Sequence, residues 1–524
     1  MKSRIFLFLI IQTLFSIETI FAQITFQKTF GGTGVDYGVS IQQTTDGGYI
    51  IAGTTESMGA GGFDIYLIRT DAIGDTLWTK TFGGIADDGG GSVQQTTDGG
   101  FIIMGILGVG LSNHDIYLIR TDANGDSLWT KTFGGTNTEE GHSVQQTTDG
   151  GYIITGLTLG FNGNGYDVYL IKTNTNGDSL WIKTFGGTNA DEGNSVQQTT
   201  DGGYIVSGTT SSFGAGGRDI YLTRTDGNGD LLWSKTFGGT SYDEGSSVQQ
   251  TTDGGYIITG NTLSFGSGNR DVYLIKTDVN GDALWTKTFG GTNDDGGWSV
   301  QQTTEGGYII TGSRSFGAGG YGVYLIKTDA NGDSLWTKAF GGIGVDWGNS
   351  IKQTMDGGYI ITGWADSFGT GNSDIYLIKT DSLGNSGCNE GSITTIVTSP
   401  ATQVTTPSTI IYSTSTIVTT PATAVGSGGI VATLCATTNL TPNPSPKERG
   451  VGIAPNPFSN EINITSSTDE LSEIILYDIT SRKLLQQTFT NSTSINTSQL
   501  SKGIYIYEVG NNKEVIGKGK VVKE

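Results

Sequence analysis

Proline, cysteine and histidine are all scarce in this 524-residue sequence. The 8 prolines all lie between positions 400 and 457, so long stretches of the chain have no residue that would interrupt a β-sheet. Two cysteines exclude a disulfide-dense scaffold and a zinc site made of four cysteines. Two histidines leave little room for histidine-based metal or triad chemistry. Basic residues are also in deficit, and the net charge of −21 argues against a nucleic-acid or anionic-membrane partner.

Glycine is abundant, with 85 residues, and it occurs together with 21 Tyr, 21 Phe and 9 Trp. Glycine without proline but with many aromatic residues is not a collagen-like or disordered composition. It is typical of many short β-strands that are joined by tight turns.

The first residues have the pattern of a secretory signal peptide. Lys2 and Arg4 precede the apolar run 5–11, and Ala22 stands before a plausible cleavage point. The run is too short and too interrupted for a membrane span. We therefore expect residues 1–22 to be removed and the protein to be secreted through the periplasm.

One unit of 51 or 52 residues occurs seven times, each copy marked by a Phe-Gly-Gly segment. Its phenylalanines are Phe30, Phe82, Phe133, Phe185, Phe237, Phe289 and Phe340. A second landmark is an acidic residue followed by two glycines, at Asp46, Asp98, Asp149, Asp201, Asp253, Glu305 and Asp356. Such constant spacing indicates that each copy is one structural unit.

Each unit predicts four strands. In residues 191–237, the Asp-Gly turn at Asp201 and the Asn-Gly turn at Asn228 separate apolar segments, as tight hairpins require. Repeated four-stranded sheets of this size predict a β-propeller. The last copy lacks its fourth strand, whereas residues 24–30 form a spare strand of that type. We therefore predict an all-β fold whose first domain, residues 23–387, is a seven-bladed propeller in which residues 24–30 pair with residues 375–380 and close the ring.

The unit resembles bacterial secreted β-propeller repeats, in which Trp, Gly-Gly, Asp and Asp-Gly-Gly-Tyr-Ile-Ile follow one another. Residues 122–129 also resemble the tryptophan-docking segment of quinoprotein propellers. These resemblances imply an interaction or surface role more often than catalysis, and a shared fold does not settle function.

Residues 388–452 form a region rich in Thr, Ser and Pro, with four copies of a seven-residue unit over 398–425. Such composition predicts an extended spacer. Cys388 and Cys435 bracket the unit copies. In an oxidising compartment they are expected to form a disulfide, the alternative being two independent free thiols.

Residues 453–524 resemble the type A sorting domain of the type IX secretion system. Pro-Asn-Pro at 455–457, Leu-Tyr-Asp at 476–478, Gly-Ile-Tyr-Ile-Tyr at 503–507 and Gly-Lys-Gly-Lys-Val at 517–521 occur in the family's order. The resemblance implies a small β-sandwich whose partners are the outer-membrane translocon and its sorting peptidase, and a location that is secreted or on the outer cell surface. The alternative is a generic C-terminal β-domain.

No nucleophile–base pair, phosphate loop or metal cluster is evident, so we predict no catalytic, cofactor-binding or metal-binding residues and no cofactor. One acidic residue precedes the first strand of every copy: Asp36, Asp88, Glu139, Asp191, Asp243, Asp295 and Asp346. These ring acids could form a ring of cation ligands or could hold their loops by accepting backbone N–H bonds. Because the acid occurs in all copies, the second interpretation is favoured. Arg69 and its equivalents are interpreted as solvated strand residues, and His114 and His142 as surface residues without partners.

The copies differ from one another in their aromatic residues. Trp298, Trp347, Trp364 and Tyr37 belong to blades six, seven and one, which are neighbours in a closed ring. Together with Lys352, which replaces an otherwise invariant glutamine, and the acids Asp295 and Asp346, they form a candidate ligand patch. The alternative is ordinary packing between blades.

The sequence thus predicts a non-catalytic, surface-anchored propeller that binds an extracellular glycan or protein. A propeller enzyme, quinoprotein-like or glycan-cleaving, and a purely structural surface repeat protein are the alternatives.

Overall fold

The computed structural model describes residues 23–108, 113–159, 165–317, 320–407, 410–413, 417–419, 424–426, 428–437, 451–454, 461–466, 471–477, 482–501, 503–511 and 515–523. The predicted signal peptide, residues 1–22, lies outside the described residues, as does the Pro-Asn-Pro motif at 455–457. Every regular element in the described part of the chain is a β-strand. None of the described segments forms a helix long and apolar enough to cross a membrane. Two compact units are present, residues 24–437 and a C-terminal unit that begins at residue 438.

Twenty-eight strands form seven blades, as predicted. The blades contain the following strands in chain order: β1 (Thr25–Gly31), β2 (Asp36–Gln43), β3 (Tyr49–Thr55), β4 (Asp64–Thr70), β5 (Thr76–Gly83), β6 (Gly89–Gln95), β7 (Phe101–Gly108), β8 (His114–Thr121), β9 (Ser127–Gly134), β10 (Glu139–Gln146), β11 (Tyr152–Leu159), β12 (Tyr166–Thr173), β13 (Ser179–Gly186), β14 (Asp191–Gln198), β15 (Tyr204–Thr210), β16 (Asp219–Thr225), β17 (Leu231–Gly238), β18 (Asp243–Gln250), β19 (Tyr256–Thr262), β20 (Asp271–Thr277), β21 (Ala283–Gly290), β22 (Asp295–Gln302), β23 (Tyr308–Gly317), β24 (Gly320–Thr328), β25 (Ser334–Phe340), β26 (Asp346–Gln353), β27 (Tyr359–Ala365) and β28 (Asp374–Thr380).

The middle strands of each blade are apolar on both faces because each sheet packs between two neighbouring sheets. All seven residues of β4 and of β20 are buried. The hairpins between first and second strands turn at glycines in the left-handed region, such as Gly47 with φ of 91°. Glycine is needed there because this region is costly for residues that carry a Cβ atom.

The ring closes as predicted. Strand β1 pairs antiparallel with β28, and Phe30 lies opposite Ile375. All seven residues of β1 are buried, which fits a strand inside a sheet rather than at its edge.

The region after the propeller differs from the predicted spacer. The described segments of residues 390–437, here called the belt, lie along the outside of the ring and add a fifth antiparallel strand to every blade. The belt strands are β29 (Glu390–Ser392), β30 (Ile396–Thr398), β31 (Gln403–Thr405), β32 (Ile410–Ser413), β33 (Ile417–Thr419), β34 (Ala424–Gly426) and β35 (Ile430–Thr437). They pair in turn with β25, β21, β17, β13, β9, β5 and β1. The physical reason is that the outermost strand of a four-stranded blade exposes unpaired N–H and C=O groups, which an extended segment can satisfy.

The belt is fastened where the ring itself closes. Cys388 precedes the first belt strand, Cys435 lies in the last, and a disulfide joins them. Strand β1 is therefore held between β28 on one side and β35 on the other.

The C-terminal unit contains two sheets. Its strands are β36 (Val451–Ala454), β37 (Glu461–Ser466), β38 (Ser472–Tyr477), β39 (Lys483–Phe489), β40 (Ser492–Asn496), β41 (Gly503–Asn511) and β42 (Val515–Lys523). The sheet orders are β36-β37-β40 and β39-β38-β41-β42. Buried residues of both sheets, among them Ile464, Leu476 and Val509, belong to one hydrophobic cluster. This arrangement agrees with the predicted small β-sandwich.

Candidate functional site

The ring acids hold the loops that precede each first strand. Asp346 is fully buried, and its carboxylate accepts hydrogen bonds from the Gly342 backbone N–H at 2.8 Å and the Ser367 hydroxyl at 2.6 Å. Asp36 does the same with Gly32 and Ser57. This is the geometry of an acid that fixes a turn. In the part of the chain that the structure describes, no three acidic, histidine or cysteine residues are grouped as a metal site would require.

The seven ring acids are not all alike. Asp295 accepts the Ser315 backbone N–H at 3.2 Å, and the Arg314 guanidinium lies 3.6 Å from its carboxylate. Burial raises the pKa of Asp295 to about 6, against the opposing effect of Arg314. Asp295 and Asp346 are predicted patch residues, but both are enclosed within the protein and cannot contact a ligand directly.

The four predicted aromatic residues come together in one row. Trp347 pairs with Trp364 across β26 and β27, and their rings stack with centroids 5.9 Å apart. Trp298 stacks on the other side of Trp347 at 5.4 Å, and Tyr37 packs edge-on against Trp364 at 5.3 Å. We call these four residues the aromatic row. It lies on the loop face, the propeller face that carries the loops between fourth and first strands.

Tyr321, which the sequence interpretation missed, extends this cluster, with its ring centroid 6.0 Å from that of Trp347. A signal for it was present in the sequence, because Gly322 replaces the aspartate that the other six copies carry at this position. The five aromatic side chains are all partly exposed.

Both faces of the central ring of the row, Trp347, are covered by neighbouring rings. Trp347 has an indole on each side, with interplanar angles of 20° and 16°. The indole N–H groups of Trp298 and Trp347 are buried without a hydrogen-bond partner among the described residues. Such donors are unusual in a folded protein.

The opposite half of the loop face is acidic. The residue after each ring acid is Tyr37, Gly89, Glu140, Glu192, Glu244, Gly296 or Trp347, in blade order. Blades three to five therefore carry three glutamates where blades seven and one carry aromatic rings. Arg218 lies 3.9 Å from Glu192 and 3.8 Å from Glu244.

Both histidines contact Glu140, contrary to the expectation that they have no partners. His114 Nδ1 lies 3.2 Å from one carboxylate oxygen, and His142 Nε2 lies 4.0 Å from the other. Hydrogen bonding and the charges of His142 and His114 hold the pKa of Glu140 below its usual value. No sequence pattern predicts this grouping, because His114 belongs to blade two and contacts a residue of blade three.

The basic residues at the shared third-strand position are buried rather than solvated. Arg69 is 5% exposed, and its guanidinium forms an ion pair with Asp46 in the turn of the same blade. Arg120 and Arg224 pair with Asp98 and Asp201 in the same way. These arginines are buried because the stacking of neighbouring blades covers both faces of every third strand.

Lys352, the remaining patch residue, lines the central channel, which Trp298 at one end of the aromatic row also lines. It is partly buried, and this burial lowers the pKa of its ammonium group.

Residues 452–524 match the family model described as the secretion system C-terminal sorting domain. The chain carries a type IX sorting domain. This confirms the expected interaction with the secretion machinery and places the protein at the cell surface or outside the cell.

Other similarities are weaker. The chain is 26% identical over 230 residues to the regulatory protein FlaEY of Caulobacter vibrioides, which corresponds to 37% of this chain and 24% of that protein. An extracellular domain from B. thetaiotaomicron aligns with a TM-score of 0.40 at 10% identity, covering 96% of this chain and 58% of the other. A fungal alcohol oxidase in complex with copper aligns with a TM-score of 0.36 at 11% identity, covering 94% of this chain and 98% of the other. The sorting-domain protein thus spans about a quarter of its curated relative and over half of the bacterial domain.

Proposed function

We propose that the propeller is a non-catalytic module that binds a protein ligand outside the cell, on its loop face, through the aromatic row. The observation that carries this proposal is the concentration of Trp298, Trp347, Trp364 and Tyr37 at one side of an otherwise nearly sevenfold ring. Equivalent blades offer equivalent surfaces, and a single specific ligand needs a surface that occurs once. Partly exposed aromatic clusters are the type of surface that interaction sites use.

The shape of the row favours a protein over a glycan. Sugar rings bind by lying flat on an open aromatic face, but both faces of Trp347 are covered by Trp298 and Trp364. The partly exposed row suits contact with apolar side chains of a protein ligand.

Charge narrows the ligand class further. Glu140, Glu192 and Glu244 lie on the half of the loop face away from the row, and the whole protein is acidic. A ligand segment that carries Lys or Arg beside its apolar residues complements both halves. Sulfated glycans would be repelled.

The acids with the most strongly raised pKa values support a non-catalytic role. Burial raises the pKa of Glu139 to about 7, in the range of a general acid, but this carboxylate accepts the Gly135 backbone N–H and the Thr158 hydroxyl inside the loop. Burial of a carboxylate that holds its own loop is therefore sufficient to explain the raised pKa of Glu139.

The test is a selection of random peptides on the mature protein, run beside an array of neutral and sulfated glycans. We expect peptides with aromatic or aliphatic residues next to Lys or Arg. Trp347→Ala should weaken the selected peptides by about 1–3 kcal/mol, or roughly 5- to 150-fold in Kd.

The matched control is Trp181→Ala. Trp181 is also partly buried and packs edge-on against an aromatic ring, Tyr204, but it lies in an outer strand of blade three. Its removal should leave peptide affinity unchanged. Selected peptides that bind Trp347→Ala as tightly as the wild type, or binding of glycans with no peptide selected, would show that the proposed function is wrong.

A further inference from the structure

The central channel of the propeller has a volume of about 690 Å³ and is lined by the first strands of all seven blades. Two sets of hydrogen bonds tie these strands together. In each blade a serine hydroxyl accepts the backbone N–H of the next blade, as Ser40 does from Val93 at 3.2 Å. Two residues further on, a glutamine side-chain oxygen accepts a second N–H, as Gln42 does from Gln95 at 2.6 Å.

The glutamine bonds fix the orientation of the side-chain amides. Six glutamines use Oε1 in this way, at 2.6 or 2.7 Å: Gln42, Gln94, Gln145, Gln197, Gln249 and Gln301. Because Oε1 is occupied by a backbone N–H, the NH₂ group is the end of each amide that is free to face the channel. These NH₂ groups have no hydrogen-bond partner among the described residues. The channel wall therefore presents a ring of fixed, unused donors.

Lys352 occupies the seventh position of this ring. An ammonium group has no acceptor, so the bond that each glutamine makes to the next blade cannot form between Lys352 and the backbone N–H of Gln43. At the junction between blades seven and one, a positively charged group thus replaces a hydrogen-bond acceptor. The Gln43 backbone N–H is left there as a further donor.

The ammonium group of Lys352 has no counter-ion. The described residues lining the channel include no aspartate or glutamate, and no described carboxylate forms an ion pair with Lys352. Every other lysine of the propeller that lies at a repeated strand position has an acidic or amide partner, as Lys379 has in Asp356 and Lys338 in Asn385. An unpaired ammonium group surrounded by amide donors has the electrostatic character of an anion site.

We propose that Lys352 and the glutamine ring bind a small oxyanion in the channel, such as phosphate, sulfate or a carboxylate. Lys352 supplies the charge, the neighbouring Gln42 and Gln301 amides supply N–H donors, and the Gln43 backbone N–H supplies another. Trp298 of the aromatic row also lines the channel, but the proposed oxyanion contacts use no residue of the row and do not depend on the peptide ligand proposed for it.

The decisive variant is Lys352→Gln, which restores the residue found in the other six blades. The new amide oxygen can accept the Gln43 N–H, so we expect this variant to fold and to melt at the same or a higher temperature than the wild type. Isothermal titration of the mature protein with inorganic phosphate should show binding to the wild type and at least a tenfold weaker interaction with Lys352→Gln.

Lys235→Gln is the matched control, because Lys235 is also a partly buried strand lysine but forms an ion pair with Asp282 on the outside of the ring. It should bind phosphate like the wild type. Acetate, titrated in the same way, distinguishes a free inorganic anion from a carboxylate carried by a larger ligand. Phosphate or acetate that binds Lys352→Gln as well as the wild type, or a wild type that binds neither at tens of millimolar, would overturn the proposal.

Discussion

Gln27 forms hydrogen bonds both to the strand that closes the ring and to the residues that precede the belt. Its replacement therefore tests both features of the fold. The side chain is fully buried in β1. Its NH₂ group donates to the Ser386 hydroxyl at 2.6 Å and to the Cys388 carbonyl at 2.5 Å, and its oxygen accepts the Tyr376 hydroxyl at 2.5 Å. One side chain thus contacts β28 and the residues that lead into the belt.

The expected loss in the free energy of unfolding for Gln27→Ala depends on which buried groups lose their only hydrogen bond. The Ser386 hydroxyl also bonds to Glu390 and stays satisfied, and Cys388 is only partly buried, so water can replace the donor that its carbonyl loses. Tyr376 is 1% exposed and would keep a buried hydroxyl without an acceptor. An orphaned buried group costs about 1–3 kcal/mol, and the space left by the side chain adds to that, so we expect a loss of about 2–4 kcal/mol.

The assay is urea unfolding of the mature chain, with two comparison variants. Thr286→Val removes a hydroxyl at the equivalent position of blade five, where it donates to the belt carbonyl of Pro400, and should cost about 1 kcal/mol. The double variant Gln27→Ala/Tyr376→Phe removes the orphaned hydroxyl and should be more stable than Gln27→Ala alone. A double variant no more stable than the single one, or a single variant within about 0.5 kcal/mol of the wild type, would refute the reasoning.

Three further predictions concern pH, the disulfide and export. Burial raises the pKa of Asp219 and Asp271 to about 6, above the values near 4 of unfolded aspartates, so the folded protein retains protons that the unfolded chain releases. The stability gained below pH 4 is lost as the pH rises through 6, and the melting temperature should fall between pH 5 and pH 7.5; a rise over that range would contradict this assignment. Peptide mapping without reduction should find Cys388 linked to Cys435, and reduction should cost up to about 4 kcal/mol in the chain-entropy model, whereas alkylation of both thiols in the native protein would reject the link. Deletion of residues 453–524 should leave the protein in the periplasm, and surface display of the truncated protein would contradict the role of that segment as an export signal.

The propeller could be predicted from the sequence because the regular spacing of its repeats indicates equivalent structural units. The landmark phenylalanines from Phe30 to Phe340 are evenly spaced, which indicates equivalent units. The last unit lacks its fourth strand, and residues 24–30 form a spare strand that can replace it. The side chains were harder to place. The alternation of residues along a strand suggests that Arg69 faces solvent, but the next blade covers it and the turn acid Asp46 neutralises it. Adjacency of blades in the ring predicted that Trp298 and Trp347 would meet. It did not predict that Lys352, on the same strand as Trp347, would line the central channel together with Trp298.

The belt was not predicted, because its short strands have no hydrophobic alternation and its composition is that of a spacer. What the prediction left out is the number of extended residues that are needed to pass from one blade edge to the next. The residues that lie opposite the Phe of successive blades, from blade six to blade one, are Glu390, Val397, Val404, Ile411, Val418 and Val425. Each step is seven residues, which in extended form spans up to about 23 Å. That length suffices for a three-residue strand on one blade edge and a crossing to the next. The seven-residue repeat of residues 398–425 therefore matches the distance between the outer edges of successive blades. A repeat in a low-complexity segment that follows a repeat domain can indicate that the segment pairs with the edges of that domain.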